Sequence, residues 1–276
     1  MEVTGIGTAA VADRGDHTLV VTLAYNGAPY AGFSRQPGQE TVQGELERAL
    51  STVMRREIDT VCAGRTDAGV HARTQVVSCP GFENDVSPRK MLRSLNALCG
   101  DSISVRDVRR VAPGFSARFD ALAREYRYRI VAGAVPPLFL RDFAWWIRKP
   151  LDVDAMALGA THLLGEHDSV SFCTKASSIG KTTNRFVETI LLTEEEHLGE
   201  RCIVLRVVGN AFLHSMVRTM VGTLVEVGAG RRPESWVADA LAARDREAAG
   251  PTAPAHGLTL WDVRYPTGVL VERTGR

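Results

Sequence analysis

Apolar and polar positions along this chain follow two rhythms. At 17–25 (HTLVVTLAY) a run rich in Val, Leu and Thr predicts a strand. At 41–56, Val42, Leu46, Ala49, Leu50 and Val53 recur at helical spacing and predict an amphipathic helix. Short strands are expected at 57–63 and 74–79, a helix with Pro88 at its start at 88–98, and a strand at 103–111. The same order then returns. A strand is expected at 124–131, a connection through Pro136-Pro137 at 134–142, and a helix at 152–164 with Asp152 as its cap. Strands follow at 186–193 and 201–208, a long helix at 211–227 ended by Gly228, a shorter helix at 234–243, and a last strand at 260–265. Strands and helices in this order, twice over, predict an α+β chain of two related halves with antiparallel sheets. Residues 1–16 read as a flexible leader, 17–112 as the first half and 113–276 as the second.

Composition narrows the class. The 276 residues are 45% hydrophobic and 24% charged, which is ordinary for a globular protein and argues against disorder. No apolar run approaches the ~20 residues of a membrane span, and the first residues lack a secretory pattern, so a cytoplasmic protein is expected. A net charge of +1 excludes a uniformly basic nucleic-acid binder but not a basic patch. Only four of the 33 basic residues are Lys, leaving 29 Arg, a side chain suited to planar contacts with phosphate and bases. The charge is uneven: 104–129 holds seven Arg against three acids, and 186–200 holds five Glu with no Lys or Arg. The five cysteines form no C-x-x-C pair and read as reduced thiols. His167-Asp168 reads as a surface turn, not a metal site.

Three segments carry candidate chemistry. In Gly64-Arg65-Thr66-Asp67-Ala68-Gly69-Val70-His71, two glycines bracket a carboxylate and an arginine between strands. Asp67 either projects into a cleft or bonds its own backbone in a hairpin turn. In the helix at 211–227, His214, Arg218, Gly222 and Glu226 form a narrow stripe among apolar residues. Arg218 there needs a carboxylate partner, either Glu226 or another structural acid, or a catalytic one. In Arg124-Glu125-Tyr126-Arg127-Tyr128-Arg129, strand periodicity puts Arg124, Tyr126 and Tyr128 on one face. That face is either packed into the core or used to stack and hold RNA.

The Gly64–His71 loop resembles the signature loop of the tRNA pseudouridine synthase A family. Further segments resemble the family in the same order: Arg35-Gln36-Pro37, TVQGELE at 41–47, Ala117-Arg118-Phe119, LLGEHD at 163–168, NAFLHSMVRTMVG at 210–222, and APAHGLTL at 253–260. The likeness spans about 18–266. It departs at Gly32-Phe33-Ser34, Ser116, Ser169-Val170, Ser215 and 174–185. The resemblance implies the pseudouridine synthase fold, with helices on one face of each sheet and the active-site cleft between the halves. It implies a cofactor-free isomerase that turns uridine into pseudouridine at positions 38, 39 and 40 of the tRNA anticodon stem-loop. It also implies a homodimer, no membrane and no metal. Asp67 matches the nucleophile and Arg218 its ion-pair partner. Tyr126 matches the residue that contacts the uracil. Arg65 matches the residue that holds the nucleotide out of its stack.

Two rivals remain at this point: a noncatalytic RNA-binding protein of the same fold, and a carboxylate-using hydrolase. The second normally needs several metal-binding carboxylates near one another, and none surrounds Asp67 in the sequence.

Overall fold

The computed structural model describes residues 17–80, 87–180 and 182–270; the leader expected at 1–16 lies outside them. In chain order the elements are β1 (Thr18–Tyr25), α1 (Val42–Met54), β2 (Val61–Cys62), β3 (His71–Cys79), α2 (Pro88–Leu98) and β4 (Ile103–Val111). They continue with β5 (Ala123–Ala132), β6 (Trp145–Ile147), α3 (Val153–Thr161), β7 (Gly165–Asp168) and the single turn α4 (Lys175–Ser178). Then come β8 (Asn184–His197), β9 (Glu200–Gly209), α5 (Met216–Gly228), α6 (Trp236–Ala243) and β10 (Leu258–Arg264).

The strands form one sheet in the order β4-β1-β3-β10-β5-β9-β8-β7, with β2 paired to β3 and β6 to β5. The fold is α+β with a mainly antiparallel sheet. β10, the last strand, joins the early strands to the later ones. It runs parallel to β3 and antiparallel to β5. β1 lies between β3 and β4, and all but one of its residues are buried. That is why it reads as a continuous apolar run. Helix caps follow the sequence: the side chains of Thr41, Ser87 and Asp152 accept from backbone N–H groups three residues on. α1 packs with α2, and α3 packs against α5 and β8. Among the described residues no helix is long and apolar enough to cross a membrane.

Several expected bounds shift. The strand expected at 57–63 shrinks to β2, and β6 and β7 arise where none was expected. These strands are short and depend on their neighbours: β6 lies on Ile130–Ala132 and β7 on the start of β8. His167-Asp168 is therefore a strand end, not a turn. The acidic stretch 186–200 extends β8 to His197 and turns at Leu198-Gly199. Both turn residues have positive φ, as two-residue hairpins of matching twist require.

Candidate active site

The Asp67 loop joins β2 to β3 and is tied down from below. Gln75 Nε2 donates to the Gly64 carbonyl at 2.7 Å. Tyr25 and Thr66 hydroxyls bond at 2.8 Å, and the Phe33 N–H donates to the Thr66 carbonyl at 3.0 Å. Gly69 takes φ +77, and Val70 N–H donates to the Asp67 carbonyl at 3.1 Å. The turn is thus closed by backbone, and the Asp67 side chain is free to point elsewhere.

It points at the start of α5. Arg218 Nη1 meets Asp67 Oδ2 at 3.1 Å, and Ser215 Oγ donates to the same oxygen at 2.8 Å. His214 Nε2 lies 3.3 Å from Oδ1. Asp67 and Arg218 side chains are each 18% exposed, whereas His214 is 56% exposed. Arg218 Nε donates to the Ala253 carbonyl at 2.8 Å, which fixes the guanidinium plane. Glu226, the alternative partner, pairs instead with Arg231.

This geometry explains why the helix starts late. The apolar spacing from Phe212 predicts a helix from 211, but α5 begins at Met216. Ser215 adopts φ 60, a left-handed conformation that interrupts the helix and turns its hydroxyl to Asp67. Gly222 also acquires a reason. A Cβ there would stand 1.7 Å from the Pro251 carbonyl oxygen, so residues 250–253 can approach the helix and offer Ala253 to Arg218.

Tyr126 forms the floor. It lies in β5 between β10 and β9 and is buried, with Phe212 edge-on at 5.3 Å. Burial raises its hydroxyl pKa well above the ordinary range, and the charges of Tyr25 and Asp67 push the same way. The hydroxyl therefore keeps its proton at neutral pH. Gly64 sits over it: a Cβ at 64 would stand 3.6 Å from the Tyr126 hydroxyl. Arg65, the next residue, is exposed.

Arg124 shares the face of Tyr126, as the strand period predicts, but it is not an RNA-facing cation. All five of its N–H groups bond backbone carbonyls. Nε and Nη2 donate to Ala63 at 3.1 and 2.8 Å, and Nη2 also to Arg118 at 2.6 Å. Nη1 donates to Ala121 at 3.0 Å and Asn210 at 2.7 Å. One side chain thus joins the segments leading into the Asp67 loop, β5 and α5. At the other end of the loop, His71 accepts from Gly27 N–H through Nδ1 and donates to the His256 carbonyl through Nε2, both at 3.1 Å. Burial lowers the His71 pKa, which keeps the ring neutral in that role. Sequence reasoning missed His71, Gln75 and Ser215 as supports of the site. Among the described residues no group of three or more His, Cys, Asp or Glu could hold a metal ion.

A family model described as tRNA pseudouridine synthase matches residues 160–266. The tRNA pseudouridine synthase A of Brevibacillus brevis is 45% identical over 247 residues, covering 90% of this chain and 99% of that protein. That of Frankia casuarinae is 44% identical, covering 90% and 89%, and that of Shouchella clausii is 40% identical, covering 93% and 96%. Among solved structures, a Cbf5-Nop10-Gar1 complex overlaps with a TM-score of 0.33 and 13% identity, covering 75% of this chain and 54% of that one. That overlap is too loose to add to the argument. The class is set by the relatives: an isomerase with the pseudouridine synthase fold. The chain belongs to the tRNA pseudouridine synthase A family.

Proposed function

We propose that the protein isomerises uridine to pseudouridine in the anticodon stem-loop of tRNA, at positions 38, 39 and 40, with Asp67 as the nucleophile. Family membership supports uridine in tRNA as the substrate. The observation that carries the catalytic reading is the unequal engagement of the two Asp67 oxygens. Oδ2 accepts from Ser215 and Arg218, while among the described residues Oδ1 faces only the exposed ring of His214, whose Nδ1 lies 3.3 Å from Thr174 Oγ1. Oδ1 is then the attacking oxygen, and the Oδ2 donors hold the carboxylate plane as it attacks.

The reaction breaks the bond from ribose C1′ to N1 of the base, turns the base, and forms a bond from C1′ to C5. The C5 proton leaves to solvent, and N1, freed from the ribose, takes up a proton in its place. Attack by Oδ1 on the base or on C1′ satisfies this balance equally. The base must leave its stack to be reached. Protonated Tyr126 contacts the flipped ring from below, and Arg65 takes the space that the nucleotide vacates. Arg218 pairs with the carboxylate released when the adduct breaks down. Product and substrate contain the same atoms, so the overall reaction consumes no oxidant or reductant. The family resemblance further implies a homodimer, which sedimentation tests.

The test uses tRNA carrying tritium on uridine C5. The wild-type protein is expected to release the label to water with the RNA uncut, and Asp67→Asn to bind RNA and release none. Residual release within about tenfold of wild type in Asp67→Asn removes the nucleophile assignment. Cut RNA moves the reading to a hydrolase. Pseudouridine mapping outside positions 38–40 overturns the target positions alone.

A further inference from the structure

One loop beside the cleft turns an aromatic ring outward. Residues 113–122, between β4 and β5, are held closely by the rest of the fold. Ala117 N–H donates to Ser78 Oγ at 3.0 Å, and its carbonyl accepts from Tyr265 Oη at 2.6 Å. The Arg118 and Ala121 carbonyls accept from Arg124. Ser116 and Asp120 close the turn, with Ser116 N–H on Asp120 Oδ2 at 2.8 Å. Phe119 projects from this fixed turn with 79% of its surface exposed, and the Arg118 guanidinium lies 5.4 Å from the ring centroid. The ring borders an open groove lined by Phe115, Leu122, Pro266 and Val269.

A scattered exposed apolar side chain needs no explanation. A ring on an already ordered loop is different, because its backbone gives up little entropy when something binds. Charge identifies the ligand. Arg124 holds the carbonyls of both Arg118 and Ala63, so it ties the Phe119 turn to the strand that leads into Gly64-Arg65. Arg118 is exposed, as is Arg65 two residues beyond Ala63. Among the described residues neither cation has a carboxylate partner. A flat ring with an unpaired guanidinium 5.4 Å from its centroid suits a base and its phosphate better than an apolar peptide.

We infer that Phe119 and Arg118 form a nucleotide-binding site for the substrate RNA, in which the ring stacks on an unpaired base flanking the target uridine and Arg118 meets its phosphate. This rests on the reading of the protein as a tRNA uridine isomerase. The experiment measures affinity for an anticodon stem-loop RNA across salt, and label release from the same RNA, on the full-length chain. Phe119→Ala should weaken binding by about tenfold. Its salt slope and its release rate at saturating RNA should stay at wild-type values. Phe119→Trp should restore affinity, and Phe119→Leu, apolar but without a π face, should not. Arg118→Ala should reduce the salt slope by about one. Wild-type affinity in Phe119→Ala, or full affinity in Phe119→Leu, overturns the stacking site. If binding depends on Phe119 while wild type releases no label, the nucleotide site stands and the isomerase reading falls. If wild type releases label and Phe119→Ala is indistinguishable from it, the reverse holds.

Discussion

The start of α5 and the start of β5 each bring an arginine to the Asp67 loop, and the two are used differently. Arg218 puts one N–H on the Asp67 carboxylate and one on the Ala253 carbonyl. Arg124 puts every N–H on backbone carbonyls of the Asp67 loop's approach, the Phe119 turn and Asn210. The first partner is a charged group that has to act. The second set consists of neutral groups that only have to stay where they are. A guanidinium is a rigid fork of five donors, so it serves either purpose, and its partners decide which. Working groups and frame are thus separable in this cleft, and substitutions should separate them too.

The largest effect is expected at Arg218. Arg218→Lys keeps the charge but cannot reach Ala253 and Asp67 with one planar group. Label release should fall by about a hundredfold or more, the scale of losing a preorganised donor at a reacting oxygen. Melting temperature and RNA affinity should change little. A Lys variant with near-wild-type turnover breaks the distinction between the two arginines.

Arg124→Lys should show the opposite pattern. Lys offers three donors from one point and leaves buried carbonyls without partners. At about 1–3 kcal/mol for each such group, stability should drop by roughly 3 kcal/mol or more. Chemical or thermal denaturation reads this directly. The folded fraction should still release label, since no Arg124 donor touches Asp67. An unchanged melting temperature with lost turnover would move Arg124 from the frame to the working groups.

The sequence separates these roles only partly, for physical reasons. α1, α2 and β4 are legible because their burial is periodic and local, and β1 and β9 because they are nearly continuous apolar runs. β6 and β7 are not, because three or four residues become a strand only through the partner beside them. The bracketing glycines mark the Asp67 loop and the strand period sets the face of Tyr126, but each keeps two uses until the family resemblance is weighed. The Arg218 partner is open in the residues alone, because Glu226 stands two turns along the same helix; the family resemblance pairs Arg218 with Asp67, and the three-dimensional path sends Glu226 to Arg231. The late start of α5 is invisible to apolar spacing: Phe212, Leu213 and Met216 fit a helix that Ser215 interrupts. Arg124 has the same surroundings in sequence whether it meets carbonyls or phosphates.

Ser215 belongs to both groups at once, so it sharpens the comparison. Its left-handed backbone costs about 1–2 kcal/mol for a residue with a Cβ, and its hydroxyl bonds Asp67 Oδ2 at 2.8 Å. Ser215→Gly relieves the strain but gives the unfolded chain about 0.4–1 kcal/mol of added freedom. Stability should therefore stay level or rise slightly. Turnover should fall by about tenfold, the value of one hydrogen bond to a charged group. Equal activity in Ser215→Gly would mean that the hydroxyl does not position Asp67.

The smallest effect concerns the frame at the far end of the loop. His71 is neutral in the fold because burial lowers its pKa and outweighs the backbone hydrogen bonds to His256 and Asp142, which favour the charged ring; the charge of Arg129 acts in the same direction as burial. Its Gly27 N–H and His256 carbonyl partners need one nitrogen bare and one protonated. In the unfolded chain the ring takes up a proton near pH 6.5. Between that pH and its lowered native value, the unfolded state binds more protons than the native state. His71 therefore contributes stability that is present above about pH 6.5 and is lost as the pH falls toward the native pKa, with a slope of at most about 1.4 kcal/mol per pH unit. His71→Asn can still accept from Gly27 N–H and cannot titrate. Other groups titrate alike in both proteins, so the stability advantage of wild type over His71→Asn should shrink between pH 7 and pH 5, measured by urea denaturation. An advantage that grows on acidification would mean that the ring is charged in the fold, and that this end of the Asp67 loop is held by an ion pair instead of by a neutral bridge.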